Sequence, residues 1–86
     1  MSFVRRGRCE IVYSILNLLK DPTLITHILY RCNLTYNQVR KYLDFLSAKD
    51  LIRMLEEGSR TFYQTTDKGK GFVIEYERME RFFENS

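Results

Sequence analysis

The sequence predicts an α+β fold, mostly helical, in which three helices are followed by a β-hairpin and a terminal helix. Three observations lead there. Apolar residues recur with helical period in three stretches before residue 50. The period then shortens to that of strands around a glycine turn, and helical spacing returns from residue 67. The 86 residues suffice for one domain and are too few for two. A core of that size is only modestly stable, so a second copy of the chain is an expected source of help.

The first helix is expected over about residues 9–20, where Val12, Ile15, Leu16 and Leu19 fall at i, i+3, i+4 and i+7 on one face; Asp21-Pro22 stops it. The second ends near Cys32, with Ile28 and Leu29 inward and His27, Tyr30 and Arg31 more exposed. Its start is open: Leu24-Ile25 reads either as a helical turn or as a two-residue strand with Thr26 as the cap. Asn33 suits the left-handed position that closes a helix. Thr35 opens the third helix, and Gln38 completes a Thr-x-x-Gln capping box, each side chain satisfying an orphan amide of the first turn. Val39, Leu43 and Leu46 form its buried stripe, flanked by Tyr42 and Phe45, and it ends near Asp50-Leu51.

From residue 51 the period changes. Residues 52–56 and 60–64 read as two strands joined by Glu57-Gly58-Ser59, a hairpin with glycine at the turn. Thr65-Thr66-Asp67 then caps a last helix reaching about residue 84. Along it Phe72, Tyr76, Met79 and Phe83 recur at i, i+4, i+7 and i+11, a two-heptad seam of the coiled-coil kind, widened by Val73 and Ile74. Acids at 75, 77, 80 and 84 interleave with Arg78 and Arg81 on its other faces. Three helices and a hairpin already fill a small core, so the seam is expected to join two copies as a homodimer. A hairpin directly after two helices joined by a tight turn is the wing of a winged helix-turn-helix, so the layout divides the chain into a basic N-terminal arm (1–8), a winged helix-turn-helix domain (9–66) and a dimerisation helix (67–86).

Residues 25–43 carry the most functional information. Two helices joined by a tight turn, the second showing Tyr36, Asn37, Arg40 and Lys41 to solvent, are how a helix-turn-helix sets a reading helix into the DNA major groove. Asn can pair with adenine and Arg with guanine. Candidate contacts to double-stranded DNA are therefore Thr35, Tyr36, Asn37, Gln38, Arg40 and Lys41, although the capping box already explains Gln38. Arg31 joins them, as does Arg60 at the hairpin tip, where Glu56 and Glu57 oppose contact with phosphate. Arg5, Arg6 and Arg8 of the arm can follow phosphates or enter a minor groove. Charge supports the same half: residues 1–43 sum to +5 and residues 44–86 to −2.

Other chemistry is not indicated. Cys9 and Cys32 have neither zinc spacing nor a disulfide framework and read as buried thiols. His27, the single histidine, cannot alone build a metal site or a triad. Lys68-Gly69-Lys70-Gly71 lacks the phosphate-loop spacing, and its glycines read instead as permitting a close helix-to-hairpin junction. Neither a nucleophile elbow nor a paired-carboxylate motif is present, so an enzyme is not expected, nor is a cofactor. No apolar run approaches the roughly 20 residues of a membrane span, and the basic start leads into an amphipathic helix. A cytoplasmic, nucleoid-associated location is the expectation.

Laid out in this order, the sequence resembles the archaeal winged helix-turn-helix transcriptional regulators, a family that includes small basic dimeric DNA-binding proteins of crenarchaea. The resemblance runs from about Arg8 to Phe83 and is carried by Arg8-x-Glu10-Ile11, Thr26-x-Ile28-x-Tyr30, Asn33-Leu34-Thr35, Tyr42-Leu43, Leu51-Ile52 and Tyr63-x-Thr65-Thr66-x-Lys68-Gly69. It implies dimerisation through antiparallel terminal helices and DNA contact by the third helix and the wing. Two departures stand out: His27 replaces a residue that is often basic in the family, and the terminal helix is short. A sequence-specific regulator leads the expectations, beside an architectural DNA-binding protein and a winged helix used only for protein association.

Overall fold

The computed structural model describes residues 7–84. Helix α1 (Arg8–Leu18) starts after an extended Gly7 and closes with the Leu19 N–H on the Ile15 carbonyl. It begins one residue before the expected start and ends two short of the expected end. Val12, Ile15, Leu16 and Leu19 are all buried, as their spacing requires. Strand β1 (Thr23–Leu24) settles the open start of the second helix: the strand exists, one residue earlier than Leu24-Ile25, and α2 (Ile25–Cys32) follows at once. Thr26 is thus inside α2 and is not its cap. Asn33 takes the left-handed conformation at φ 56°, closing α2.

Helix α3 (Tyr36–Ala48) opens with the full capping box. The Gln38 N–H donates to Thr35 Oγ1 at 3.2 Å, and the Thr35 N–H donates to Gln38 Oε1 at 3.0 Å. Beyond it, β2 (Ile52–Glu57) and β3 (Arg60–Thr65) form the hairpin, each one residue longer than expected. That leaves a two-residue turn in which Gly58 sits at φ 63°, a positive angle that glycine adopts without a Cβ penalty. The sheet is antiparallel in the order β1-β3-β2, with Thr23 opposite Tyr63 and Tyr63 opposite Met54. Its inner face joins α1, α2 and α3 around Ile15, Leu16, Leu19, Ile28, Val39, Leu43, Leu46, Ile52 and Tyr63.

Helix α4 (Asp67–Glu84) is tied to this core at its start. The Thr65 N–H donates to the Leu19 carbonyl at 2.8 Å, and its hydroxyl donates to the Leu16 carbonyl at 2.7 Å. Thr66 caps α4 by accepting from the Gly69 N–H at 3.1 Å, while its hydroxyl donates to the Asp50 carbonyl at 2.6 Å. A Cβ on Gly69 would strike the Leu51 carbonyl and come within 2.6 Å of Thr65 Cγ2, so this glycine does permit a close junction. Gly71 has open space around it and has no part in the approach.

Farther along, α4 leans on α1. The Tyr13 and Tyr76 rings stack at 4.5 Å between centroids, and the Tyr13 hydroxyl donates to Glu77 Oε2 at 2.8 Å. That bond, with some burial added, pushes the Tyr13 hydroxyl up to about 12, and burial likewise raises Tyr76.

One cysteine departs from expectation. Cys32 is buried in the core but Cys9 is exposed. Cys9 lies three residues before Val12 on the same stripe, yet α1 begins there and the core no longer reaches it. Among the described residues, no helix is long and apolar enough to cross a membrane, and no group of three or more His, Cys, Asp and Glu is placed to hold a metal ion.

Candidate nucleic-acid interface

At 3.6 residues per turn, the side of α3 opposite Val39, Leu43 and Leu46 carries Asn37, Lys41 and Asp44. All three are exposed, as are Tyr36 and Gln38 in the first turn. Thr35 and Gln38 satisfy each other's backbone amides, which commits both side chains to the cap. The free polar surface at the start of α3 is therefore Tyr36, Asn37 and Lys41.

Arg40 differs from the sequence expectation of a fully solvent-facing side chain. It is half-buried on the flank of α3 that meets the hairpin. Its Nη1 donates to the Tyr63 hydroxyl at 3.1 Å and its Nη2 to Asp44 Oδ1 at 3.0 Å. The Tyr63 bond also holds the guanidinium still more firmly in its charged form. The Arg40–Asp44 pair follows the i, i+4 rule and was readable in principle from spacing. The Tyr63 contact joins residues 23 apart in sequence and left no local signal.

The remaining candidates surround α3. Arg31 is exposed in the last turn of α2, just before Asn33. Arg60 is exposed at the start of β3, directly across the hairpin from Glu57, so the tip carries opposed charges. Arg8, assigned by its sequence to the arm, is the first residue of α1. It shares an open cleft of about 260 Å³ with Lys41, Tyr42 and Phe45, and so stands with Lys41 on one side of α3. Arg5 and Arg6 lie outside the described residues.

The four seam residues of α4 divide. Phe72 and Tyr76 are half-buried, with their rings 6.2 Å apart and Tyr76 on Tyr13 of the same chain. Met79 and Phe83 are exposed, at 49% and 73%, together with Ile74 at 54%. Phe82, which the heptad spacing passes over, is 79% exposed beside them. Its signal was the step of three from Met79.

A helix-turn-helix whose second helix rests on a two-stranded hairpin defines the winged-helix class of domain. The chain belongs to the winged helix-turn-helix family, which matches residues 5–84. Among solved structures it is similar to Sso10a-2, a DNA-binding protein from Sulfolobus solfataricus, with a TM-score of 0.83 and 31% identity, covering 93% of this chain and 84% of that one. The transcriptional regulator BldR from the same organism has a TM-score of 0.78 at 23% identity, covering 87% of this chain and 57% of that one, a likeness of fold. An uncharacterised protein of Methanocaldococcus jannaschii is 31% identical over 67 residues, which are 77% of this chain; the match spans 65% of that relative's length.

Proposed function

We propose that this chain is a sequence-specific double-stranded DNA-binding protein that regulates transcription as a homodimer, with α3 in the major groove and the hairpin on the flanking backbone. The observation that carries this reading is the exposed polar start of α3. Asn37 and Lys41 point away from the core on a helix whose cap leaves their side chains uncommitted. Asn37 would read a base edge, Tyr36 and Lys41 would meet base or phosphate, and Arg31, Arg8 and Arg60 would follow the backbone. The similarity to a protein described as DNA-binding supports it. A cytoplasmic, nucleoid-associated location follows from the same reading.

Binding to duplexes selected from a randomised pool, compared with random duplex at two salt concentrations, tests the proposal. A preference of 10³-fold or more, roughly the lower end for specific binders, is the expected result. Equal affinity for all duplexes would point to an architectural role, and no duplex binding to protein association alone. Replacing Arg5 and Arg6 by Ala should flatten the log–log salt dependence by roughly one unit for each phosphate that is no longer neutralised.

The dimer would form through the later turns of α4, where Met79, Phe82 and Phe83 leave apolar surface exposed. The half-buried Phe72 and Tyr76 would border that interface. Sedimentation at micromolar concentration is expected to give dimer mass for the natural chain and monomer mass for Met79→Glu. Monomer mass for both would refute the interface.

A further inference from the structure

We infer that Tyr63, a buried residue of the middle strand, is a positioning residue for Arg40, and that Tyr63 and Asp44 together hold the Arg40 guanidinium as a preset donor beside the reading face of α3. The inference rests on the proposed DNA reading and names a determinant of its specificity.

The geometry is that of a clamp. Tyr63 is 7% exposed and held in the middle strand of the sheet, opposite Thr23 on one side and Met54 on the other. Its hydroxyl receives Nη1 of Arg40 at 3.1 Å, while Asp44, one helical turn beyond Arg40, receives Nη2 at 3.0 Å. One hydrogen bond would leave the guanidinium free to swing about it. Two bonds, from different nitrogens to acceptors on different elements, fix both the plane and its rotation.

An arginine has five N–H donors and the clamp uses two, so three remain. The side chain stays 39% exposed, which leaves it within reach of a partner. Ordering a long side chain on binding lowers affinity by about two- to tenfold, and a clamp present beforehand removes that loss. The clamp also acts on Asp44, whose side chain is 71% exposed on the outward side of α3. Without Arg40 beside it, that carboxylate would repel DNA phosphates. The Tyr63 hydroxyl therefore serves two ends at once: it keeps the guanidinium aimed, and it keeps it where it neutralises Asp44.

The test is Tyr63→Phe, which keeps the ring in the core and removes only the hydroxyl, combined with Arg40→Ala in a double-mutant cycle. Base preference is read from a randomised duplex pool. Expected are an unchanged melting temperature to within a few degrees, an unchanged salt slope, and a discrimination reduced by about two- to tenfold at the base pair that Arg40→Ala also affects. In the Arg40→Ala background, Tyr63→Phe should change the profile no further. Without DNA, the guanidinium N–H resonances of Arg40 should be distinct in the natural chain and averaged by rotation in Tyr63→Phe.

Duplex binding with the natural base profile in Tyr63→Phe would overturn the positioning role while leaving the proposed function standing. So would a loss of stability without a change of profile, or an effect that persists undiminished in the Arg40→Ala background. Failure of the natural chain to bind any duplex would overturn the proposed function, and the positioning role with it.

Discussion

Helices α3 and α4 are both amphipathic, and they treat their two faces in opposite ways. Helix α3 buries its apolar stripe, Val39, Leu43 and Leu46, and the side opposite that stripe is polar, with Asn37, Lys41 and Asp44; of its larger apolar side chains Tyr36 and Phe45 stay exposed on the flanks. Over its 18 residues, α4 buries only Gly69 and Val73 and leaves Ile74, Met79, Phe82 and Phe83 in the open. An outer face of amides and charges suits a polyanion with ordered hydrogen-bonding edges, whereas an outer face of methionine and phenylalanine suits another protein surface. The same domain therefore offers two surfaces with different chemistry, and the helix that meets DNA in the proposed function is the one whose apolar stripe is already buried.

The largest effect should separate the two helices by stability. Leu43→Ala removes a side chain that is 2% exposed, and it should lower unfolding free energy by about 2–5 kcal/mol in chemical denaturation. Met79→Glu should leave the dilute protein within about 0.5 kcal/mol of the natural chain, because that side chain is 49% exposed and lies outside the buried core. It should also abolish the concentration dependence of melting that a dimer imposes. Equal destabilisation by both substitutions would erase the contrast.

Of intermediate size are the effects on DNA. Asn37→Ala should reduce discrimination between selected and random duplex by about 1–3 kcal/mol if the amide pairs with a base. Lys41→Ala should weaken both duplexes alike and lower the salt slope by roughly one unit. Quantitative binding at several salt concentrations distinguishes the two patterns; equal losses on both duplexes for Asn37→Ala would move that residue to the backbone class.

The smallest effect concerns the contact of α4 with α1. The Tyr13 hydroxyl rises from 10.0 to about 12 on folding, chiefly through its bond to Glu77. Its contribution to stability is complete below the unfolded value and is lost as pH climbs through the folded one. Denaturation at a series of alkaline pH values should show this fall between about pH 10 and 12 in the natural chain. In Tyr13→Phe that component of the fall should be absent, and an ultraviolet titration should lose its highest-pH tyrosine.

What could be read in advance follows how local each determinant is. The capping box of Thr35 and Gln38 spans three residues, the closure of α2 rests on the conformation of Asn33 alone, and the turn at Gly58 needs only its neighbours. All three stand as the sequence implied. The short β1 was ambiguous because its identity comes from Phe62 and Tyr63, about forty residues away. The exposure of Cys9 depends on where the core ends, which periodicity does not encode. Arg40 was assigned correctly to α3, but its bond to Tyr63 is set by the packing of a strand that the helix cannot announce. For α4, the heptad spacing identified an apolar seam without dividing it, since only the position of α1 decides that Tyr76 has a neighbour.

The threonine junction before α4 has a further consequence. Thr65 and Thr66 fasten the start of that helix to the Leu16 and Leu19 carbonyls at the end of α1 and to the Asp50 carbonyl just beyond α3, so the point from which α4 departs is fixed relative to both helices. Eighteen residues make a rod of about 27 Å, and a step of one turn along it is about 5.4 Å. If two such rods pair, the point at which they cross determines how far apart the two reading helices stand. Major grooves on one side of a duplex recur every ~34 Å. The rod then acts as a ruler: a shift of the crossing by a single turn would carry the pair out of step with the helical repeat of the duplex.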